Sequence, residues 1–219
     1  TLKMLCGLLR PDSGWVEIGG ERLSPGKSEL LRHIGVAPQE IVVWETLSCA
    51  EQLAFVAECF GASRRAAKRR AAELLEAFGL SEKADRLAKT LSGGMQRRLN
   101  IALGLVHSPR ILFLDEPQAG LDPQSRVLVR EVIRGLAGSM TIVITTHDME
   151  EAEKLADRVC IVDRGKLLAF DTIDGVKQSQ GQCDQFTIEL LEDAAGLARA
   201  LAELERQRAR EREQGCCEQ

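Results

Sequence analysis

Short apolar runs alternate along the chain with longer stretches in which apolar residues recur at helical spacing. The runs at 34–37, 111–114 and 140–145 consist of apolar or β-branched residues, apart from Gly35. Runs without polar alternation are typical of strands buried on both faces of a parallel sheet. Between two of them, Leu99, Leu103 and Val106 share one face of a predicted helix. The pattern therefore predicts an α/β domain with a mostly parallel sheet.

Polar residues stand where each of these runs ends. Asp115 and Glu116 close the run at 111–114, while Gln39 and His147 closely follow the other two runs. Ligands of parallel sheets bind beyond the carboxyl ends of the strands. At such an edge an acid can hold Mg²⁺, a second carboxylate can activate the attacking water, and an amide or imidazole can contact the metal or a phosphate. The alternatives are a surface loop that begins with two acids, a plain turn residue and a solvent-facing histidine. We favour the phosphoryl-transfer interpretation.

A Ser92-Gly93-Gly94 turn opens the predicted helix that precedes the 111–114 run. Ser92 is a suitable N-cap, and the glycines allow backbone N–H groups to approach an anion closely. By itself the turn is equally typical of an ordinary capped helix. Its position just upstream of the strand that ends in two acids favours anion binding.

These segments, in this order, resemble the motifs of ABC transporter ATP-binding subunits, and the resemblance covers about residues 1–175. The segment 93–99 is also similar to the drug-export and antibiotic-resistance branch, which has a separate membrane subunit. Met95 stands where the family more often has Gln, so the ribose contact of that Gln is not carried over. The resembling segments are Pro38-Gln39 (Q-loop), Leu91-Ser92-Gly93-Gly94 (signature), 111–116 (Walker B and catalytic glutamate), Gly120-Leu121-Asp122 (D-loop) and Thr145-Thr146-His147 (switch histidine).

The resemblance implies a P-loop NTPase-like fold with an inserted helical subdomain at about 45–108. It implies an ATPase domain at 1–177, followed by a linker and a partial C-terminal appendage at 178–219. ATP and Mg²⁺ are the implied cofactors, and two subunits would enclose two ATP molecules. The implied roles are Glu116 as catalytic base, Asp115 and Gln39 as Mg²⁺ contacts, His147 and Gln39 as γ-phosphate sensors, Ser92, Gly93 and Gly94 as the turn facing the partner's ATP, and Asp122 as a contact across the dimer.

The first residues resemble the helix that follows the family's Walker A loop, with Thr1 immediately after that motif. We therefore expect the phosphate-binding loop and the strands before it to be missing from this sequence, and we expect this chain alone to bind ATP poorly and not to hydrolyse it. Gly26-Lys27-Ser28 is not a substitute, because Glu21 stands where a P-loop requires glycine. A loop between strands is the favoured interpretation of that segment.

Composition limits the remaining possibilities. The formal net charge is −4, so no overall basic excess indicates nucleic acid. The basic residues at 64–70 are interleaved with alanines and with no aromatics, so a solvated helix face is favoured over binding to nucleic acid or anionic lipid. The seven cysteines form no C-x-x-C pair, which is typical of cytosolic thiols. No run approaches the ~20 apolar residues of a membrane span.

The resemblance implies two protein partners, a transmembrane permease subunit and a second ATP-binding subunit, and no nucleic acid. An exposed apolar edge near Trp44 and Leu47 would receive the permease. The implied location is cytoplasmic, peripheral on the inner face of the cell membrane. Two alternatives remain open: a non-catalytic ABC-like regulatory protein, and a soluble ABC ATPase of translation or DNA repair.

Overall fold

The computed structural model describes residues 1–23, 28–179 and 187–190. The amino-terminal part is made of short elements. Helix α1 is short, because Gly7 adopts a φ of +76° and the amides of Leu8 and Leu9 donate hydrogen bonds to the Lys3 carbonyl. The elements here are α1 (Leu2–Leu5), β1 (Glu17–Ile18), β2 (Glu21–Arg22), α2 (Ser28–Leu31) and β3 (Ile34–Ala37).

A helical segment follows β3, and its helices lie within the range 45–108. They are α3 (Cys49–Cys59), α4 (Arg64–Ala77) and α5 (Gly93–Leu105), with 3-10 turns at Ser81–Lys83 and Ala88–Thr90. Each helix begins at a serine that accepts a hydrogen bond from a first-turn amide, and at α3 Ser48 and Glu51 form a reciprocal capping box. Local sequence therefore sets where all three helices start.

Strands and helices alternate in the rest of the described chain. The elements are β4 (Ile111–Asp115), α6 (Pro123–Leu136), β5 (Thr141–Thr146), α7 (Met149–Leu155), β6 (Val159–Asp163), β7 (Lys166–Asp171), α8 (Ile173–Ser179) and β8 (Thr187–Leu190). Strands β6 and β7 form an antiparallel hairpin that turns at 164–165. Helix α8 continues to Ser179, which is two residues into the predicted linker.

The larger sheet has the order β3-β4-β5-β8-β6-β7. Strands β3, β4 and β5 are parallel neighbours, and β6 points the same way because β5 and β6 both pair antiparallel with β8. Four of the six strands in this sheet therefore share one direction, and the α/β fold class is confirmed. The carboxyl ends of β3, β4 and β5 meet at one edge, where the predicted site residues follow.

The main core lies between this sheet and the helical segment. Leu112 and Leu114 of β4 are fully buried, as are Leu99 and Ile101 of α5. Burial of such side chains contributes about 1.5–3 kcal/mol each. Helix α5 and β3 approach so closely that a Cβ on Gly35 would stand 2.2 Å from the Gly104 carbonyl oxygen. This contact fixes the helix that begins at the Ser92 turn against the strand that leads to Gln39.

Several predictions fall outside the described residues or are not tested by them. Gly26 and Lys27 of the rejected P-loop lie outside. The residues that follow form the short helix α2 before strand β3, where a loop between strands was predicted. The predicted appendage beyond 190 and most of the linker also lie outside, so the domain boundary at 177/178 stays a prediction. Within the described ranges, none of the helices combines the length and apolar character that crossing a bilayer requires.

Candidate active site

The end of β4 is held by a threonine of the neighbouring strand. The Thr145 hydroxyl donates to the Asp115 carboxylate and accepts a hydrogen bond from the Glu116 backbone N–H at 3.2 Å. The same N–H also donates to the Thr145 carbonyl at 3.0 Å. Glu116 itself has a φ of +47°, which costs a non-glycine residue about 1–3 kcal/mol. The hydrogen bonds with Thr145 of β5 thus fix the position of both acids and offset the backbone strain at Glu116.

Glu116 and His147 are in direct contact. The two side chains are joined at 2.8 Å between His147 Nδ1 and Glu116 Oε1. Because a carboxylate can only accept, the imidazole donates from Nδ1, and Nε2 is the ring nitrogen left to meet a ligand. The His147 side chain is 76% exposed and that of Glu116 is 18% exposed, so the pair stands at an open edge of the sheet.

Gln39 follows the neighbouring strand β3, whose Ala37 is paired with Leu114. Its side chain is exposed, while its carbonyl oxygen accepts a hydrogen bond from Arg97. Within the described chain no hydrogen bond joins the Gln39 amide to Asp115 or Glu116. The structure therefore places Gln39 at the correct edge and holds its backbone, with the side chain open to solvent.

Arg97 is a site residue that the sequence analysis missed. It is 3% exposed, and its guanidinium donates to the Pro38 carbonyl at 2.9 Å and to the Gln39 carbonyl at 2.7 Å. Burial lowers the pKa of Arg97, and the negative charges of Asp115 and Glu116 act in the opposite direction. A fully buried arginine needs partners. The signal in the sequence was an arginine three residues after Gly94, on the face of the helix that is buried in the fold.

Ser92, Gly93 and Gly94 form a second cluster together with the start of α6. Ser92 and Gly93 are exposed, and the Ser92 hydroxyl accepts from the Met95 amide at 3.4 Å. Gly94 is buried, and a Cβ there would stand 2.2 Å from the Ser125 hydroxyl oxygen. Ser125 in turn donates from both its amide and its hydroxyl to the Asp122 carboxylate, at 2.9 and 2.7 Å.

These hydrogen bonds lower the pKa of the Asp122 carboxyl, chiefly through the Ser125 side chain. Asp122 is thus the N-cap of α6 and lies beside the signature turn. No hydrogen bond in the described residues connects this cluster to Glu116 or His147. The predicted site residues therefore form two groups on one chain.

The donor set at the sheet edge fits Mg²⁺ better than a transition metal. The available groups are the hard oxygens of Asp115, Glu116 and Gln39, and no group of three or more His, Cys, Asp or Glu residues able to hold a metal was found in the described ranges. Mg²⁺ commonly uses one or two carboxylates and completes its octahedron with water and phosphate oxygens. The residues present therefore fit a metal that arrives with a nucleotide.

Two acids and a histidine at the carboxyl edge of a parallel sheet are typical of α/β proteins that bind phosphate groups. Comparison with known proteins specifies the family: the model for ABC transporters matches residues 1–119, which is more than half of the chain. The chain belongs to the ABC transporter family.

Curated relatives agree with this assignment. The linearmycin resistance ATP-binding protein LnrL of Bacillus subtilis (strain 168) is 42% identical over 173 residues, which are 78% of this chain and 56% of that protein. The daunorubicin/doxorubicin resistance ATP-binding protein DrrA of Streptomyces peucetius is 42% identical over 182 residues, covering 83% of this chain and 55% of that protein. The Nod factor export ATP-binding protein I of Burkholderia orbicola (strain AU 1054) is 42% identical over 189 residues, covering 86% and 62%. The chain thus spans little more than half the length of these relatives.

Proposed function

We propose that this chain is part of the ATP-hydrolysing subunit of an ABC exporter and couples hydrolysis to transport by a separate membrane subunit. The observation that carries the proposal is the Glu116–His147 contact at 2.8 Å, beside Asp115, at the end of two parallel strands. The names of the relatives, two of them resistance proteins and one an export protein, favour the drug-export branch.

In the proposed reaction Glu116 accepts a proton from water as the water oxygen attacks the γ-phosphorus of ATP. The bond from that phosphorus to the bridging oxygen breaks, and ADP and phosphate leave. His147 contacts the γ-phosphate and orients Glu116 through their hydrogen bond. Asp115 and Gln39 would hold Mg²⁺, which supplies charge neutralisation on the phosphate oxygens when bound.

The second cluster suggests that the complete site needs two subunits. Ser92 and Gly93 are exposed at the N-terminus of α5, where the helix dipole favours a negative charge. We infer that this turn faces the γ-phosphate of ATP held by the partner subunit. We also infer that Asp122 contacts the partner when the dimer closes, because it caps the helix beside the turn. Two copies, or this subunit and a homologue, would then enclose two ATP molecules.

A groove in the helical segment is the proposed contact for the membrane subunit. It has a volume of about 860 Å³ and runs between α3 and α4, with Phe55 and Leu87 on its rim. Those two residues are 52% and 38% exposed. Trp44 is 45% exposed, and its ring lies in a T-shaped arrangement with that of Phe55, with 5.7 Å between the ring centroids. An amphipathic helix of the permease would fill this groove and hold the subunit peripherally at the cytoplasmic face of the membrane.

The test uses the full-length protein reconstituted with its membrane subunit. Glu116→Gln should lower ATP turnover by about 10²–10⁴-fold, since it removes a general base while keeping the hydrogen-bonding shape. It should also accumulate an ATP-bound dimer, detectable by light scattering. The control is Glu150→Gln, an exposed acid of α7 paired with Lys154, which should leave turnover unchanged.

The remaining alternatives predict different results. A regulatory ABC-like protein would show no turnover that depends on Glu116. A soluble ATPase of translation or DNA repair would be stimulated by ribosomes or DNA and not by the membrane subunit. Either result would replace the exporter assignment.

A further inference from the structure

Two short segments of the proposed site each lead directly into a helix. Helix α6 begins after its N-cap Asp122, and α7 begins after His147 with Asp148 as its N-cap. The two helices pack against one another beside the sheet edge. Helix α7 has only seven residues, so tertiary contacts rather than intrinsic helicity determine where it lies.

Three arginines of α6 contact α7 at successive levels. They are spaced four residues apart, so they share one face of α6. The Arg126 guanidinium lies 3.7 Å from the Asp148 carboxylate, and the Arg134 guanidinium donates to the Lys154 carbonyl at 2.8 and 3.3 Å. Between these two contacts, Arg130 meets Glu151.

The Arg130–Glu151 pair is the buried member of this series. Arg130 Nε donates to Glu151 Oε2 at 3.1 Å, and Nη2 donates to Oε1, so both carboxylate oxygens are engaged. The two side chains are 17% and 8% exposed. The pKa of Arg130 is raised, chiefly by this hydrogen bond. A fork-to-carboxylate pair of this kind fixes orientation as well as distance.

The same patch lies beside the loop that follows Glu116. Gln118 is 8% exposed, and neither polar atom of its amide has a partner. Gln118 and Glu151 both line a cavity of about 10 Å³ between this loop and α7. A space of that size admits one water molecule, and the free amide supplies polar partners for it. Glu151 thus faces Arg130 on one side and the Glu116 loop on the other.

We propose that Arg130 and Glu151 are positioning residues for His147: their buried ion pair sets α7 against α6 and so holds the imidazole on Glu116. His147 is the residue immediately before the α7 cap, and among the described side chains only Glu116 bonds its ring. A shift of α7 therefore moves the His147 ring away from Glu116. A shift of α6 at Asp122 is in turn transmitted to α7 through Arg130. The catalytic meaning of this link rests on the proposed function.

The test reads the His147 ring by ¹⁵N NMR of the folded chain at one fixed pH, together with amide exchange at the start of α7. The chain has three histidines, so single substitutions assign the rings. Arg130→Met should move the His147 ring signals to those of the Glu116→Ala variant, in which the ring has no partner. Amides capped by Asp148 should exchange about tenfold faster.

Conservative variants separate positioning from general destabilisation. Arg130→Lys keeps the charge and should retain most of the wild-type ring signal, and Glu151→Gln should lose part of it. The matched control is Lys154→Met, which removes the exposed Glu150 pair from the same helix and should leave ring and exchange unchanged. Ring signals that stay at wild-type values in both Arg130→Met and Glu151→Gln would overturn the proposal.

Failure of this link between the helices can be distinguished from failure of the proposed function. In the full-length protein, His147→Ala turning over ATP at the wild-type rate would refute the role of His147 in hydrolysis. Release of the ring by Arg130→Met would still establish the link between the helices. If Arg130→Met fails to fold, Glu151→Gln and Arg130→Lys decide the outcome by the same ring signals.

Discussion

Replacing Arg97 by methionine tests how the loop that carries Gln39 is held. The guanidinium donates two short hydrogen bonds to the Pro38 and Gln39 carbonyls from a position that is 3% exposed. Methionine keeps much of the side-chain volume and removes both donors. The loop then depends on its remaining polar anchors, chiefly the Asn100 amide, which donates to the Pro38 carbonyl at 3.2 Å and accepts from the Val42 amide at 3.1 Å.

The magnitude follows from these contacts. Hydrogen bonds from charged donors contribute about 1.5–3 kcal/mol each, so two give about 3–6 kcal/mol. Part of this is offset because burial of the guanidinium itself costs free energy. The Pro38 carbonyl also keeps its bond from Asn100. We therefore expect Arg97→Met to lower the free energy of unfolding by about 3 kcal/mol.

Arg98 supplies a matched control on the same helix. Its guanidinium also serves backbone carbonyls, Phe78 at 2.7 Å and Gly79 at 3.5 Å, but at the end of α4 and away from Gln39. With one short bond, Arg98→Met should cost about 1.5 kcal/mol. Only Arg97→Met should loosen the Gln39 loop.

Urea unfolding gives the global cost, and amide exchange at Val42 and Trp44 gives the local one. These amides are protected by side chains of Asn100 and Gln52, so their exchange should accelerate in Arg97→Met beyond the global change. Trp44 emission, measured in a Trp15→Phe background, should shift to the red. The two variants are compared at urea concentrations that give them the same free energy of unfolding. If amide exchange and Trp44 emission then match between them, the assignment of Arg97 to this loop is refuted.

Two further predictions concern other positions. Gly94→Ala should destabilise the fold by about 2 kcal/mol, because its Cβ would overlap Ser125, whereas Gly93→Ala, with nothing within 4 Å, should be neutral in urea unfolding; equal costs would contradict this packing. Burial, and to a lesser degree the charge of Arg70, lowers the pKa of His107 in the folded chain. As pH falls below about 6.5, the unfolded chain therefore binds a proton that the folded chain does not, and the free energy of unfolding should decline. Unfolding at stepped pH should show a flatter decline in His107→Gln, and an unchanged slope would contradict this origin.

Local chemistry explains why much of the fold could be predicted. Continuous apolar runs at 34–37 and 111–114 became β3 and most of β4, because such residues gain most when both faces are covered. Ser92 and Asp122 begin helices because their side chains satisfy first-turn amides within three residues of sequence. The convergence of Glu116 and His147 followed from strand ends alone, since parallel neighbours bring their carboxyl ends to one edge.

Contacts between distant segments were beyond such reasoning. The Arg97 bonds to the Pro38 loop, the Thr145 hydroxyl between two acids and the Arg130–Glu151 pair each join residues twenty or more positions apart. No periodicity encodes which buried arginine meets which carbonyl. The positive φ of Glu116 is also a tertiary outcome, because its cost is offset by the hydrogen bonds that the Glu116 N–H donates to Thr145 of another strand.

The sequence by itself determined the three buried strands that follow one another in the parallel part of the sheet, the polar residues at their ends and the helix caps, because those depend on side chains a few positions apart. Only the tertiary structure decided how the site is held: which buried charge anchors the Gln39 loop, which hydroxyl fixes the acids, and which ion pair sets the helix after His147. Those contacts depend on which buried polar groups lie within hydrogen-bonding distance after the core has packed, because a buried charge is stable only beside a partner.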